Sequence, residues 1–280
     1  MIYEKENNNF KISISLRNVF KKYESGFQEI IAVKNFSLDI KEGEVAIILG
    51  PSGCGKSTVV RLIAGLENLQ AGRIVVKGES VLKPSNYCSM VFQSYTSFPW
   101  LTVKENIEFG LHYSGNFSQK EIGKIALEYA REVGLEEFKD AYISTLSGGM
   151  KQRVAIASAI ATNPSILLMD EPFGALDSQT RMVMQEHLLT IVERTDKTVV
   201  FVTHDIEEAL LLGDRIYICS ARPATVIAEI DVPFEHPRNI STRNKKEFFN
   251  MKHEIFNLLR EHIFEEQLRE KYKNRRGKNK

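Results

Sequence analysis

The sequence predicts an α/β fold with a mainly parallel sheet that is covered by helices on both faces. Largely apolar runs at 44–49, 165–169 and 198–202 are typical of strands buried on both faces. Helical patterns separate these runs, notably at 56–64 and 178–194. Strands that alternate with helices favour parallel pairing, and the fold class rests on this alternation.

The N-terminal region and the shorter strands have other patterns. Apolar residues at 12, 14 and 16, and again at 36, 38 and 40, recur at every second position, so each segment is expected to be a half-buried strand. Further strands are predicted at 74–76, 90–92 and 215–219.

A mostly helical stretch from Thr102 to about Thr162 interrupts this alternation and is interpreted as an insertion into the α/β core. Ser118 and Glu121 have the spacing of a capping box, which marks a helix start.

The C-terminal end differs from the rest of the chain in charge. Residues 221–280 hold 14 basic and 9 acidic groups, whereas the preceding 220 residues hold 23 and 27. Residues 243–274 have apolar side chains at helical spacing, so one amphipathic helix is expected there, followed by a basic tail. A solvated, partly disordered tail is the favoured interpretation, and weak attraction to an anionic membrane leaflet is the alternative.

The composition excludes several functional classes. The chain has 280 residues, which suggests one or two domains, and its net charge of +1 argues against a dedicated nucleic-acid binder. Its apolar runs are far shorter than the ~18 residues that span a bilayer, and its first ten residues hold no signal-peptide core. Cys54, Cys88 and Cys219 are too few for a disulfide framework or a metal site, so a reducing cytosolic compartment is expected.

The strongest motif lies between the predicted strand 44–49 and a predicted helix. It reads Gly50-Pro51-Ser52-Gly53-Cys54-Gly55-Lys56-Ser57, followed by Thr58, and it matches the phosphate-binding loop G-x-x-x-x-G-K-[ST]. Glycines let several backbone N–H groups point at phosphate oxygens, and the helix N-terminus adds a partial positive charge. Lys56 is placed to neutralise the β- and γ-phosphates and Ser57 to ligate Mg²⁺, while Cys54 is interpreted as a variable loop position.

A pair of carboxylates, Asp170 and Glu171, follows the apolar run at 166–169. Ligands of such sheets bind at the carboxyl ends of the strands. Asp170 is therefore placed to hold Mg²⁺, and Glu171 to orient or deprotonate an attacking water. The two motifs together predict a P-loop NTPase.

A second phosphate-binding surface is predicted at Ser147-Gly148-Gly149, before a helix that starts near Met150. One chain needs one such cradle per nucleotide, so a second cradle suggests a site shared between chains. The surrounding residues, LSGGMKQR, resemble the signature of the ATP-binding cassette family, the nucleotide-binding subunits of ABC transporters.

The other motifs of that family occur in the same order. Gln93 resembles the glutamine loop, which contacts Mg²⁺ and the attacking water, and Gly174-Ala175-Leu176-Asp177 resembles the D-loop, which crosses the dimer interface. His204 resembles the switch histidine, which contacts the γ-phosphate. Tyr23 resembles the aromatic residue that stacks on adenine, although Phe20 and Phe27 lie nearby.

The resemblance implies a RecA-like P-loop core with an antiparallel β subdomain and an inserted α-helical signature subdomain. The cassette is expected at 11–230, its helical subdomain at about 94–162, and a C-terminal helix with the basic tail at 231–280. Two such subunits pack head to tail and hold two ATP molecules, each between Lys56 of one chain and the Ser147 signature of the other. A permease of separate chains, an extracytoplasmic substrate-binding protein and the cytoplasmic face of the membrane are also implied, and nucleic acid is not.

One surface points to a subfamily. The segment after the glutamine loop contains Phe98-Pro99-Trp100-Leu101, which has the aromatic character of an anchor site for a partner helix. Closure of the subdomain core is the alternative for Trp100. With MDEPFGALD, this segment is similar to importers for nitrate, sulfonates and taurine. An ATPase of an exporter or of a lipoprotein-release system stays open as the alternative, and a soluble ABC ATPase outside transport is less favoured.

Overall fold

The computed structural model describes residues 11–25, 28–94, 96–115, 117–195 and 197–277, without the side chains at 25, 28, 114, 194, 240 and from 263 onward. The N-terminal decapeptide, for which no signal core is expected, lies outside the described residues. The side chains of the basic tail do so as well.

Ten strands and seven α-helices make up the described part of the chain. The strands are β1 (Ile12–Ser25), β2 (Gln28–Lys41), β3 (Val45–Leu49), β4 (Ala71–Val76), β5 (Glu79–Ser80), β6 (Cys88–Val91), β7 (Ile166–Asp170), β8 (Thr198–Thr203), β9 (Arg215–Cys219) and β10 (Val226–Asp231). The helices are α1 (Lys56–Ile63), α2 (Val103–Ser114), α3 (Gln119–Glu132), α4 (Gly148–Ala161), α5 (Ser178–Arg194), α6 (Ile206–Leu212) and α7 (Lys246–Gly277).

The central sheet has six strands in the order β10-β9-β3-β8-β7-β6. All its pairs are parallel except the one between β9 and the edge strand β10. Val45, Ile47 and Leu49 of β3 enter one hydrophobic cluster, and Ala46 and Ile48 enter the other. The predicted parallel sheet, buried on both faces, is therefore confirmed, and the two clusters are the two faces of one core.

The N-terminal strands form a separate antiparallel sheet in the order β2-β1-β4-β5. Ile14, Leu16, Phe36 and Ile40 are fully buried beneath it, which explains the alternation in the sequence. This sheet covers the second cluster and lies on the α1 side of the central sheet.

The helical insertion contains α2, α3 and α4. Both Thr102 and Ser118 cap their helices with complete capping boxes, which confirms the one predicted at Ser118 and adds one at Thr102. Asn106 is 5% exposed and bonds to the backbone of Phe98 and Thr102. It fixes the aromatic loop that precedes α2.

The C-terminal segment packs on the central core. Phe248 and Ile255 of α7 are buried in the first cluster, and the ring of Phe248 stacks on that of Phe234 at 5.8 Å between centroids. A 3₁₀ helix, Ile240–Asn244, precedes α7 and contacts α6. Among the described residues, no helix combines the length and the apolar character needed to cross a bilayer.

Candidate functional site

The loop between β3 and α1 has a backbone that only glycine tolerates at Gly55. Its φ is +123°, and a Cβ there would lie 2.3 Å from the carbonyl oxygen of Ala32. Because α1 begins at the next residue, the free N–H groups of its first turn lie at the loop. The arrangement provides the amide donors and the dipole that bind phosphate.

Lys56 spans this loop. Its Nζ donates to the carbonyl oxygens of Gly50 and Pro51, both at 2.9 Å, and lies 3.7 Å from Oε1 of Glu171. The side chain is 3% exposed, so the charge is held at a fixed point next to the loop amides. It is placed to meet an incoming polyphosphate.

Ser57 and Asp170 form the candidate metal site. The Ser57 hydroxyl donates to Oδ1 of Asp170 at 2.9 Å, whereas Oδ2 of Asp170 is buried without a hydrogen-bond partner in the described structure. Burial raises the pKa of Asp170, and the Ser57 hydrogen bond opposes that shift. The described residues contain no cluster of three or more His, Cys, Asp or Glu side chains suited to a metal. The unpartnered carboxylate oxygen beside a hydroxyl fits a hard cation whose other ligands come from phosphate and water.

Glu171 is the centre of the predicted catalytic group. Its Oε2 accepts from Nε2 of Gln93 at 3.3 Å and lies 3.2 Å from Nδ1 of His204. Its backbone has a φ of +45°, although it is not a glycine. Such conformations cost about 1–3 kcal/mol and occur at functional sites. The Glu171 carboxylate thus contacts Gln93, His204 and Lys56, so the three predicted catalytic residues lie together beside the loop lysine.

A cavity of about 430 Å³ adjoins these groups. Its lining includes most of the predicted loop residues and the carboxylate: Tyr23, Ser52, Gly53, Gly55, Lys56, Ser57, Thr58, Gln93 and Glu171. Cys54 is 1% exposed and belongs to the second hydrophobic cluster, and burial raises the pKa of its thiol. Its side chain is therefore part of the core.

Tyr23 lines the cavity from β1. Its hydroxyl bonds to Glu67 and lies 3.3 Å from the Thr58 hydroxyl, and the pKa of Tyr23 is raised by burial and by the Glu67 carboxylate. The ammonium of Lys21 lies 4.9 Å from the ring centroid.

Arg222 is a cavity residue that the sequence did not identify. Its Nε and Nη2 donate to the carbonyl oxygen of Gly53 at 3.1 and 2.9 Å. These two bonds hold the phosphate loop in place. It lies 169 positions along the chain from Gly53, and no local pattern could have assigned the contact.

The signature residues lie elsewhere. Ser147 is exposed and caps α4 by accepting from the N–H of Met150 at 3.3 Å. Gly149 lies close to the D-loop, because a Cβ on it would be 3.3 Å from the Leu176 side chain. Asp177 caps α5, and its bonds from Thr180 and Gln179 lower its pKa. These residues are not among those that line the cavity.

Gly55→Ala should weaken nucleotide binding strongly and destabilise the fold. The Cβ would displace the Ala32 carbonyl, which also accepts from the N–H of Ala224 at 2.9 Å. Backbone strain alone costs about 1–3 kcal/mol, and the steric overlap adds to it. We expect a lower melting temperature and at least a tenfold weaker binding of a fluorescent ATP analogue.

Gly43→Ala is the matched control for this substitution. Gly43 has a φ of +75°, but nothing lies within 4 Å of its hypothetical Cβ. It should show the strain without the overlap, with ATP binding unchanged. Equal losses in the two variants would contradict a special role for the close approach at Gly55.

Taken together, the phosphate loop on a parallel sheet, the paired carboxylates and the separate signature surface define a P-loop ATPase of the cassette type. The sequence profile of the family described as "ABC transporter" matches residues 33–174.

Related sequences support the same class of protein. An uncharacterized ABC transporter ATP-binding protein of Methanocaldococcus jannaschii is 41% identical over 92% of this chain and 96% of its own length. The nitrate import ATP-binding protein NrtD of Synechocystis is 47% identical over 82% and 89%. The aliphatic sulfonates import ATP-binding protein SsuB of Bacillus anthracis is 40% identical over 83% and 91%.

A solved structure, the ATP-binding cassette MJ0796 as a post-hydrolysis dimer bound to ADP and Pi, superposes with a TM-score of 0.73. It is 38% identical and covers 79% of this chain and all of that one. The chain therefore belongs to the ABC transporter family and is an ATP-binding subunit with ATPase activity. The predicted fold class and enzyme class are confirmed.

Proposed function

We propose that this chain is the ATP-hydrolysing subunit of an importer for nitrate, a sulfonate, taurine or a related small organic solute. Its identity to the import subunits named above, over most of the chain, carries the proposal.

The geometry of the site supports a separate role for each predicted residue in ATP binding and hydrolysis. Lys56 and the loop amides bind the β- and γ-phosphates, and the cavity beside Tyr23 takes the rest of the nucleotide. Ser57, Asp170 and Gln93 would hold Mg²⁺, which would neutralise charge on the phosphates. Glu171 orients and deprotonates the attacking water, and His204 contacts the γ-phosphate.

The separation of the signature residues from the cavity supports a shared site. In the proposed homodimer, the cradle of Ser147, Gly148 and Gly149 from one chain closes on the nucleotide held by the other. Asp177 lies at the interface, and the dimeric cassette structure is consistent with this arrangement. ATP then favours the closed state because only that state contacts the γ-phosphate from both chains.

An exposed aromatic cluster supports docking of a separate permease. Trp100 is 68% exposed, and its ring lies 5.5 Å from that of Phe98, which in turn packs 4.4 Å from Phe109. Tyr113 extends the cluster along α2. Trp100 is thus available to a partner helix, and docking on such a permease would hold the cassette at the cytoplasmic face of the membrane.

Ser147→Arg should separate binding from hydrolysis. Because Ser147 is exposed and outside the cavity, the variant should bind ATP normally but hydrolyse it at least tenfold more slowly. Mixed with a Lys56→Met chain, it should regain activity, since each mixed dimer holds one intact site. The measurement is phosphate release by each variant and by the mixture.

Ser80→Arg, an exposed substitution of equal charge on β5, is the control and should keep full activity. A mixture no more active than its two components would contradict the shared site.

The transport direction is tested with the permease. The chain is co-purified with the permease, reconstituted into vesicles and mixed with binding protein loaded with nitrate, taurine or a sulfonate. Stimulated ATP hydrolysis together with uptake from the binding-protein side supports import. Transport in the opposite sense, without need of a binding protein, would favour the exporter alternative.

A further inference from the structure

A chain of hydrogen bonds, part-buried at Arg243 and buried at the other two links, joins the C-terminal segment to the end of β8. Nη2 of Arg243, in the 3₁₀ helix before α7, donates to Oε1 of Gln185 on α5 at 2.9 Å. Nε2 of Gln185 donates to Oε1 of Glu208 on α6 at 3.0 Å. The other carboxylate oxygen of Glu208 accepts from the hydroxyl of Thr203 at 2.7 Å. The links are continuous, and each uses a different atom.

The three groups beyond Arg243 are buried deeply enough that each needs its hydrogen-bond partner. Gln185 is 1% exposed, Thr203 2% and Glu208 7%. A buried polar group that loses its partner bears the full cost of desolvation, so a break at one link disturbs the next. The Gln185 amide has one orientation that serves both neighbours, because Arg243 offers only donors and the Glu208 carboxylate accepts.

The hydrogen-bond chain ends on the residues that flank His204. The Thr203 hydroxyl also accepts from the N–H of Asp205 at 3.0 Å, so Thr203 is tied to Glu208 on one side and to Asp205 on the other. The Asp205 carboxylate caps α6. The backbone is therefore fixed immediately before and after His204, whose Nδ1 lies 3.2 Å from Oε2 of Glu171.

We propose that Arg243 is a positioning residue for the ATPase site and acts on His204 through Gln185, Glu208 and Thr203. The inference rests on the proposed role of His204. It makes the 3₁₀ helix before α7, whose Arg243 is not among the residues that line the nucleotide cavity, a determinant of the orientation of the switch histidine.

The simpler alternative is that Arg243 only fastens the C-terminal segment to the core. The structure offers a matched contact for separating the two. Nζ of Lys252 on α7 pairs with Oε1 of Glu207 at 2.5 Å, which also ties the C-terminal segment to α6. Glu207 is adjacent to Glu208 but takes no part in the hydrogen-bond chain. Lys252→Met therefore removes a contact that holds the same segment to α6 and leaves the hydrogen-bond chain intact.

The test compares Arg243→Met, Lys252→Met and His204→Ala by steady-state kinetics, melting temperature and NMR of labelled histidine. The His204 resonance is assigned by its loss in His204→Ala. For Arg243→Met we expect kcat about tenfold lower, the rate equivalent of one buried hydrogen bond, with KM within twofold and the His204 resonance shifted. Lys252→Met should leave kcat and the resonance unchanged. Arg243→Lys, which keeps the charge and N–H donors at the end of the side chain, should recover part of kcat.

Gln185→Met provides a second test, because it keeps the side-chain length and removes the middle link of the hydrogen-bond chain. It should reproduce the lower kcat and the shifted resonance even if Arg243→Met fails to fold. An unmoved resonance with kcat near wild type, or equal effects in the Arg243 and Lys252 variants, would overturn the inference. Wild-type kcat in His204→Ala would instead overturn the catalytic role of His204, while the resonance would still report whether the chain positions it.

Discussion

Glu171→Gln should lower ATP hydrolysis at least a hundredfold while ATP binding is retained. The carboxylate oxygens lie close to Lys56, Gln93 and His204, and a carboxamide of the same shape keeps most of these contacts. What it loses is the ability to accept a proton from water, and general-base catalysis contributes about 10²- to 10⁴-fold. Because the nucleotide then persists, the variant should accumulate as an ATP-bound dimer.

The measurement is phosphate release together with light scattering after gel filtration in the presence of ATP and Mg²⁺. Glu79→Gln is a useful control, since Glu79 is exposed on β5 and is not among the residues that line the cavity. It should remain active and monomeric after turnover. Undiminished hydrolysis in Glu171→Gln would show that another group activates the water.

Lys56→Met should abolish binding as well as hydrolysis. The side chain is buried and supplies two hydrogen bonds to carbonyl oxygens of its own loop, so its loss removes the phosphate partner and loosens the loop. Breaking one partner of a buried ion pair costs about 3–5 kcal/mol, and Glu171 would be left next to an apolar group. We expect at least a hundredfold weaker ATP binding in fluorescence titration.

Lys77→Met controls for loss of a paired lysine away from the site. Lys77 bonds to Glu42 at 2.9 Å on the surface of the antiparallel sheet. It should alter neither ATP binding nor the rate. A Lys56→Met chain that binds ATP with wild-type affinity would contradict the placement of the phosphates.

The sequence was sufficient for the central sheet because its strands are buried on both faces and separated by helices. It was also sufficient for the phosphate loop, where Gly55 and Lys56 occupy fixed positions next to a strand and a helix. Local spacing determines such features, and the two predicted carboxylates follow from the same rule.

Other features depend on contacts that spacing does not encode. Arg222 contacts Gly53 across 169 positions of the sequence, and Arg243 contacts Gln185 across 58 positions. The left-handed backbone of Glu171 depends on its surroundings, which include a bond from its N–H to Val202. A single sequence contains no signal for such pairings.

The backbone of Glu171 carries strain that a substitution could relieve only together with the loss of its side chain. Glycine adopts a φ of +45° without strain, so a change to glycine there would relax the main chain and remove the catalytic side chain together. The same change would leave the buried Lys56 ammonium without its carboxylate partner, and that loss of about 3–5 kcal/mol exceeds the strain of about 1–3 kcal/mol that is relieved. An engineered cassette therefore needs its added stability from other parts of the fold.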